Sequence, residues 1–273
     1  MMKHLIRNII ICLLVSFVVS ATAEARKKTG KYDRREQGGD LALIEPDPIS
    51  HKSKPDFHPK GLKQPTLYVE SDVSHIHGLD LSHYQGRVNW DMVATDPHAG
   101  FIYLKATEGE RLVDDTYRYN FSEAKRVGLK VGSYHFFRPG ISAVRQFDNF
   151  ISVVDVKKQD LLPIVDVEVT ARGVPMSTFY SRLEEFLRLV TQEFGKRPII
   201  YTGKNFYNKH FSNRRFKDYK FMIAAYTLDE PELDNNDDYI IWQYTGSGSA
   251  NGIRGHVDKS RFRGKHSISE ILF

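Results

Sequence analysis

The stretch Leu161-Leu162-Pro163-Ile164-Val165-Asp166-Val167-Glu168-Val169 decides the fold. Its Leu, Ile and Val run reads as a buried strand of the kind that helices cover on a parallel sheet, expected over Leu162–Val167. Two carboxylates interrupt that run. Successive strand side chains alternate faces, so Asp166 and Glu168 should point the same way, with Cα atoms about 6–7 Å apart. Two like charges side by side in apolar surroundings are costly unless paired, protonated or used.

Outward from this segment, short apolar runs alternate with helical periodicity. Further strands are expected at Gly78–Leu81, Phe101–Lys105, Lys130–Phe136, Pro198–Thr202, Phe221–Ala225, Tyr239–Tyr244 and near Val257-Asp258. Phe179, Leu183, Phe186, Leu187, Val190 and Phe194 recur at helical spacing, with Ser177 as a candidate cap and Gly195 as the stop. Ser142 can open a second helix with Phe147, Phe150, Ile151 and Val154 inward, and a third runs from about Tyr117 to Val127. Eight strands alternating with helices point to an α/β barrel of parallel strands. The connections in the last third are too short for full helices, so the barrel should be incomplete or irregular there. The competing open, doubly wound sheet lacks its glycine-rich loop after the first strand.

The N-terminus is of another kind. Lys3 and Arg7 precede an apolar run from Ile9 to Val19, and small residues follow to Ala23, which is the pattern of a cleaved secretory signal over residues 1–23. Residues 24–74 are polar, punctuated by proline and without periodicity, and are expected to form a disordered tether. Residues 75–273 then form the barrel domain. Cys12, inside the expected signal, is the single cysteine, so neither a disulfide nor a cysteine-ligated metal is expected in the mature protein. The net charge of +5 is a mild excess without a basic, aromatic-interleaved stripe, which argues against a nucleic-acid partner.

A barrel of this kind works at the C-terminal ends of its strands. Those ends here carry Asp80, Lys105, Glu108, Tyr134, His135, Asp166, Glu168, Tyr201, Tyr226, Trp242, Gln243 and Asp258. Taken one at a time, most have plainer readings: Lys105 could pair with an acid, His135 could be a satisfied core histidine, and Tyr201 and Trp242 could be core aromatics. Together, carboxylates and aromatics on one rim suit a sugar cleft, and paired carboxylates suit glycosidic bond cleavage.

His77-Gly78-Leu79-Asp80-Leu81-Ser82-His83-Tyr84-Gln85-Gly86 with Asn89-Trp90, Phe101 to Gly109, Tyr134-His135-Phe136, Asp166-Val167-Glu168, Trp242-Gln243-Tyr244-Thr245 and Gly252 to Asp258 resemble, in order and spacing, the motifs of glycoside hydrolase family 25. These are lysozymes acting as N-acetylmuramidases. The resemblance covers about residues 77–262. It implies a modified TIM-like β/α barrel with about five helices, and cleavage of the β-1,4 bond between N-acetylmuramic acid and N-acetylglucosamine. It further implies Glu168 as general acid, Asp166 assisting the substrate acetamido group, and Asp80 and Asp258 completing the acidic cleft. Tyr134, Tyr201, Tyr226 and Trp242 would contact substrate, with Gln243, Lys105 and Glu108 beside them. Neighbouring carboxylates are expected to hold a proton on Glu168. Met222 and Ser260 depart from the family pattern at the cleft margin.

No metal or other cofactor is expected. The expected partner is the peptidoglycan glycan strand, met by an exported monomer (in the periplasm, at the surface or secreted) without stable membrane insertion once the signal is removed. A chitinase-like hydrolase and a non-catalytic glycan-binding domain are the competing readings.

Overall fold

The computed structural model describes Val69, Ser71, Asp72 and residues 74–273. The expected signal and nearly all of the expected tether lie outside the described residues. Val69 and Asp72 belong with the barrel: Val69 is buried in its core, and the Asp72 carbonyl accepts from His77 Nε2 at 2.8 Å.

The strands are β1 (His77–Leu81), β2 (Phe101–Glu108), β3 (Leu112–Val113), β4 (Val131–Phe136), β5 (Ile164–Asp166), β6 (Ile199–Gly203), β7 (Phe221–Ala224), β8 (Ile241–Gly248) and β9 (Val257–Phe262). Strand β3, which the sequence did not signal, is an antiparallel flap on β2. The other eight form a ring in the order β1-β9-β8-β7-β6-β5-β4-β2, closed by parallel pairing of β1 with β2. From β1 through β2 and β4 to β8 every pairing is parallel, whereas β9 is antiparallel to both its neighbours. The last strand thus departs from the all-parallel expectation.

Five α-helices stand among the described residues: α1 (Trp90–Val93), α2 (Tyr117–Arg126), α3 (Ala143–Ile151), α4 (Met176–Phe194) and α5 (Lys204–His210). None lies between β7 and β8 or between β8 and β9, which is the irregular last third that the short connections announced. Helix α4 buries all six of the residues expected on its inner face and ends at Gly195, whose φ of 68° is left-handed. Its start differs from expectation. The chain leaves Pro175 directly into Met176, so Ser177 sits inside the first turn instead of capping it.

Strand alternation divides the apolar residues into two cores. Phe101, Tyr103, Ile164, Ile199, Met222, Ile241 and Phe262 fill the barrel. Leu79, Ile102, Leu104, Val165, Val167, Ile200 and Ile223 face outward and join Phe179, Leu183, Phe186 and Leu187 of α4. Burying each such side chain contributes about 1.5–3 kcal/mol. Both faces of the central strands are therefore committed to packing, and polar side chains are left for the strand ends. Among the described residues no helix is long and apolar enough to cross a membrane.

Candidate active site

Register assembles the mouth. The parallel ladder aligns Phe136, Asp166 and Tyr201 on β4, β5 and β6, so their side chains share the inner face. Reversal of β9 does the same on the other side. Because it runs backward, its second residue reaches the mouth, and Asp258 lies directly opposite Asp80 of β1. Side chains opposite one another on antiparallel strands have Cβ atoms about 4.5–5.5 Å apart. Two carboxylates distant in sequence are neighbours for that reason.

Asp80 is buried and is held by neutral donors: Gln243 Nε2 and Ser260 Oγ each donate to its Oδ2 at 2.9 Å. Gln243 lies across from Ser260 in the β8–β9 ladder, so register sets this arrangement as well. The Oε1 of Gln243 accepts from the Tyr201 hydroxyl at 2.8 Å and from the Tyr226 hydroxyl at 3.3 Å. One amide thereby links two phenols to one acid. Tyr226 is partly exposed, and a side chain at Gly246 would meet its hydroxyl at 2.8 Å and Asp258 Oδ1 at 3.4 Å.

The phenols record the local field. Burial pushes the Tyr201 hydroxyl well above its ordinary range, and the charges of Glu168, Tyr226, Asp166 and Asp258 push it further. Burial does the same to Tyr134, reinforced by Asp166, Asp258, Asp80 and Asp114. Five acids, Asp80, Asp114, Asp166, Glu168 and Asp258, thus act on these two phenols. Both phenols stay protonated at neutral pH and can donate hydrogen bonds.

Glu168 sits differently from the sequence expectation. Strand β5 ends at Asp166, and its ladder to β6 continues one residue more, with Val167 N–H donating to the Tyr201 carbonyl at 2.9 Å. Asp166 is buried on the inner face and Val167 on the outer, but Glu168 lies past the strand and is exposed. Alternation along β5 therefore does not fix its direction. It stands at the solvent side of the mouth, close enough to act on Tyr201.

Trp242 does not line the mouth. It is fully buried and faces outward between Gln243 and Ile241, with Nε1 donating to the Ala225 carbonyl at 2.7 Å and the Arg261 guanidinium 5.2 Å from its ring. His135 is the core histidine its plainer reading described. Its Nε2 donates to Gln146 Oε1 at 3.2 Å and its Nδ1 accepts from Thr107 Oγ1 at 2.7 Å, while burial pulls its pKa down to about 3.

Lys105 and Glu108 are both on the mouth and are joined, Lys105 Nζ donating to Glu108 Oε2 at 2.6 Å. Arg138, which was not singled out from the sequence, donates from Nε to Glu108 Oε1 at 2.9 Å and from Nη2 to the same oxygen. Burial alone would raise the Glu108 pKa, but the two cations outweigh it and the net shift is downward. Among the described residues no group of three or more His, Cys, Asp or Glu side chains is arranged to hold a metal ion.

The profile of glycosyl hydrolases family 25 matches residues 79–253. The chain is 35% identical over 193 residues to the Escherichia coli (strain K12) protein called Uncharacterized protein YegX, covering 69% of this chain and 70% of that one. It is 30% identical over 206 residues to Lysozyme M1 of Streptomyces globisporus, covering 71% and 70%. The solved structure of a family 25 glycosyl hydrolase from Bacillus anthracis superposes with a TM-score of 0.64 at 27% identity, over 70% of this chain and 89% of that one.

Proposed function

We propose, from the premise that the chain belongs to glycosyl hydrolases family 25 and is a glycoside hydrolase, that it cleaves the β-1,4 bond between N-acetylmuramic acid and N-acetylglucosamine in peptidoglycan. In this reading Glu168 gives its proton to the leaving glycosidic oxygen as the bond to the anomeric carbon breaks. Asp166 orients the substrate's acetamido group, whose carbonyl oxygen attacks that carbon. Water then opens the cyclic intermediate and returns a proton to Glu168. Asp80 and Asp258 supply negative charge on the far side of the sugar, where positive charge develops, and Tyr134 and Tyr201 donate to its hydroxyls.

The observation that carries the reading is one mouth shared by distant acids: Asp80 stands opposite Asp258 in the β1–β9 ladder, and Asp166 is in register with Tyr201, whose hydroxyl the Gln243 amide links to Asp80. A glycan lying in the mouth would cover Glu168 and remove the water it now meets, supplying the desolvation that an exposed carboxyl lacks. Action on a cell wall requires passage out of the cytoplasm, in keeping with the charged, apolar and small-residue order of residues 1–23.

Mass spectrometry of products from purified peptidoglycan tests the proposal. Fragments ending in reducing N-acetylmuramic acid are expected, with no release from chitin. Comparable release from chitin would favour the chitinase-like alternative, and wall binding without fragments would leave only a glycan-binding domain.

A further inference from the structure

The β2–β4 side of the mouth holds a cationic device that the reaction above does not use. Residues three apart on a regular strand face opposite ways, yet Lys105 and Glu108 both face inward. The register with β4 slips between Lys105 and Thr107, and this bulge turns Glu108 back to the side of Lys105. One carboxylate then stands between two cations, Lys105 and Arg138, leaving a surplus of one positive charge on that wall.

Arg138 is held at several points. The Phe136 ring lies 4.5 Å from its guanidinium. Its backbone N–H donates to the fully buried Gln146 Oε1 at 2.8 Å, and its carbonyl accepts from Gln146 Nε2 at 3.0 Å. Gly109, with a left-handed φ of 53° that side-chain-bearing residues rarely adopt, lies against the arginine stem. Buried Asn149 fixes this turn by donating to the Gly109 carbonyl at 2.9 Å. The Arg138 side chain nevertheless stays 43% exposed, and only two of its three nitrogens are turned to Glu108, so a fork of N–H donors remains for an incoming anion. Its aromatic platform, Phe136, is the register neighbour of Asp166.

We infer that Arg138, backed by Lys105, forms a carboxylate-binding site that receives the acidic substituent carried by the muramic sugar. This rests on the peptidoglycan reading and names the part of the substrate that the reading left open. Asp80 and Asp258 stand next round the ring on β1 and β9, so an acidic polymer settles with its carboxylates toward the cations of β2 and β4 and away from those two acids. That fixes which of two alternating sugars lies over Asp166 and therefore which bond is cut. A neutral N-acetylglucosamine polymer lacks the handle. The carboxylate can be that of the lactyl group on a peptide-free strand, or belong to the peptide attached through it.

The test measures kcat and KM for wild type and Arg138→Gln on peptide-bearing strands, on peptide-free strands with open lactyl groups, and on each after its carboxyls are capped with methylamine. Lys105 still pairs with Glu108 in this variant, and Arg138→Lys, which keeps charge but loses the fork, serves as a second check. KM is expected to rise about 10-fold or more for Arg138→Gln on at least one uncapped substrate, with kcat little changed and a smaller rise for Arg138→Lys. Capping that substrate should raise the wild-type KM to a similar value and abolish the difference between the two proteins. A difference confined to peptide-bearing strands assigns the peptide carboxylates, and one confined to peptide-free strands assigns the lactyl group. Equal losses on capped and uncapped substrates, or wild-type KM values indifferent to capping, would overturn the inference. Wild type that cuts none of these substrates would instead refute the peptidoglycan reading.

Discussion

The two sides of the mouth use the same kind of residue in opposite ways. On the β8–β9–β1 side, Asp80 is braced by the neutral donors Gln243 and Ser260 and faces Asp258. On the β2–β4 side, Glu108 is clasped by Lys105 and Arg138. In the proposed reaction the first arrangement turns two acids toward the positive charge that develops on the sugar. The second neutralises its carboxylate and leaves positive charge over. An acid on a barrel rim is thus not one role but at least two, and the neighbours decide between them.

The sharpest break of this contrast within the binding network is Gln243→Leu, which removes a donor from Asp80 and the acceptor of two phenols. Turnover should fall about 100-fold and stability by about 1–3 kcal/mol, because buried polar groups lose their partners. Steady-state kinetics and denaturant unfolding read both. Glu108→Gln acts on the β2–β4 side and should cost a similar amount of stability, about 1–3 kcal/mol as two cations lose their shared partner, while leaving kcat within several-fold of wild type.

Acid also separates the sides. His135, bonded to the Gln146 that fixes the Arg138 loop, has its pKa lowered from 6.5 to about 3 by burial. Between those values the unfolded chain binds a proton that the folded chain refuses, so stability should fall as pH drops from about 6.5 toward 3. His77, lowered to about 4, adds a loss of the same sign below 6.5. Thermal melts across this range should show a shallower decline for His135→Phe, which keeps the stack on Phe186. An unchanged slope would place the sensitivity elsewhere. The smallest effect is expected for Ser260→Ala, which removes one of the donors to Asp80: about 1 kcal/mol of stability and a few-fold loss of kcat.

Much of the barrel was legible because its central strands are apolar on both faces, which few other folds demand. What escaped was set by register. Strand β9 reads as polar through Asp258, Lys259, Ser260 and Arg261, yet Lys259 is 2% exposed. Its aliphatic stem lies over Gly248, where a side chain would meet it at 2.9 Å, so the strand buries a lysine that no hydrophobic pattern would show. Its reversal in direction was likewise invisible, although it is what brings Asp258 to Asp80. The rim aromatics divided by phase: Tyr201 turned inward, and Trp242, one residue out of step with Gln243, turned into the outer core. Arg138 was missed because its position depends on the buried amides of α3, Gln146 and Asn149, polar residues that share the inner face with Phe150 and that an apolar pattern does not show. Ser260 appeared in sequence only as a departure at the margin, whereas in the fold it holds Asp80.

The most direct test of the whole account is muropeptide release from purified peptidoglycan by Glu168→Gln beside wild type, with circular dichroism and thermal melts confirming an unchanged fold. An exposed residue at this position should tolerate the change structurally, and kcat should drop by about 10²–10⁴-fold if Glu168 delivers the proton. Release at close to the wild-type rate would contradict the assignment and remove the chemical centre from the mouth described above.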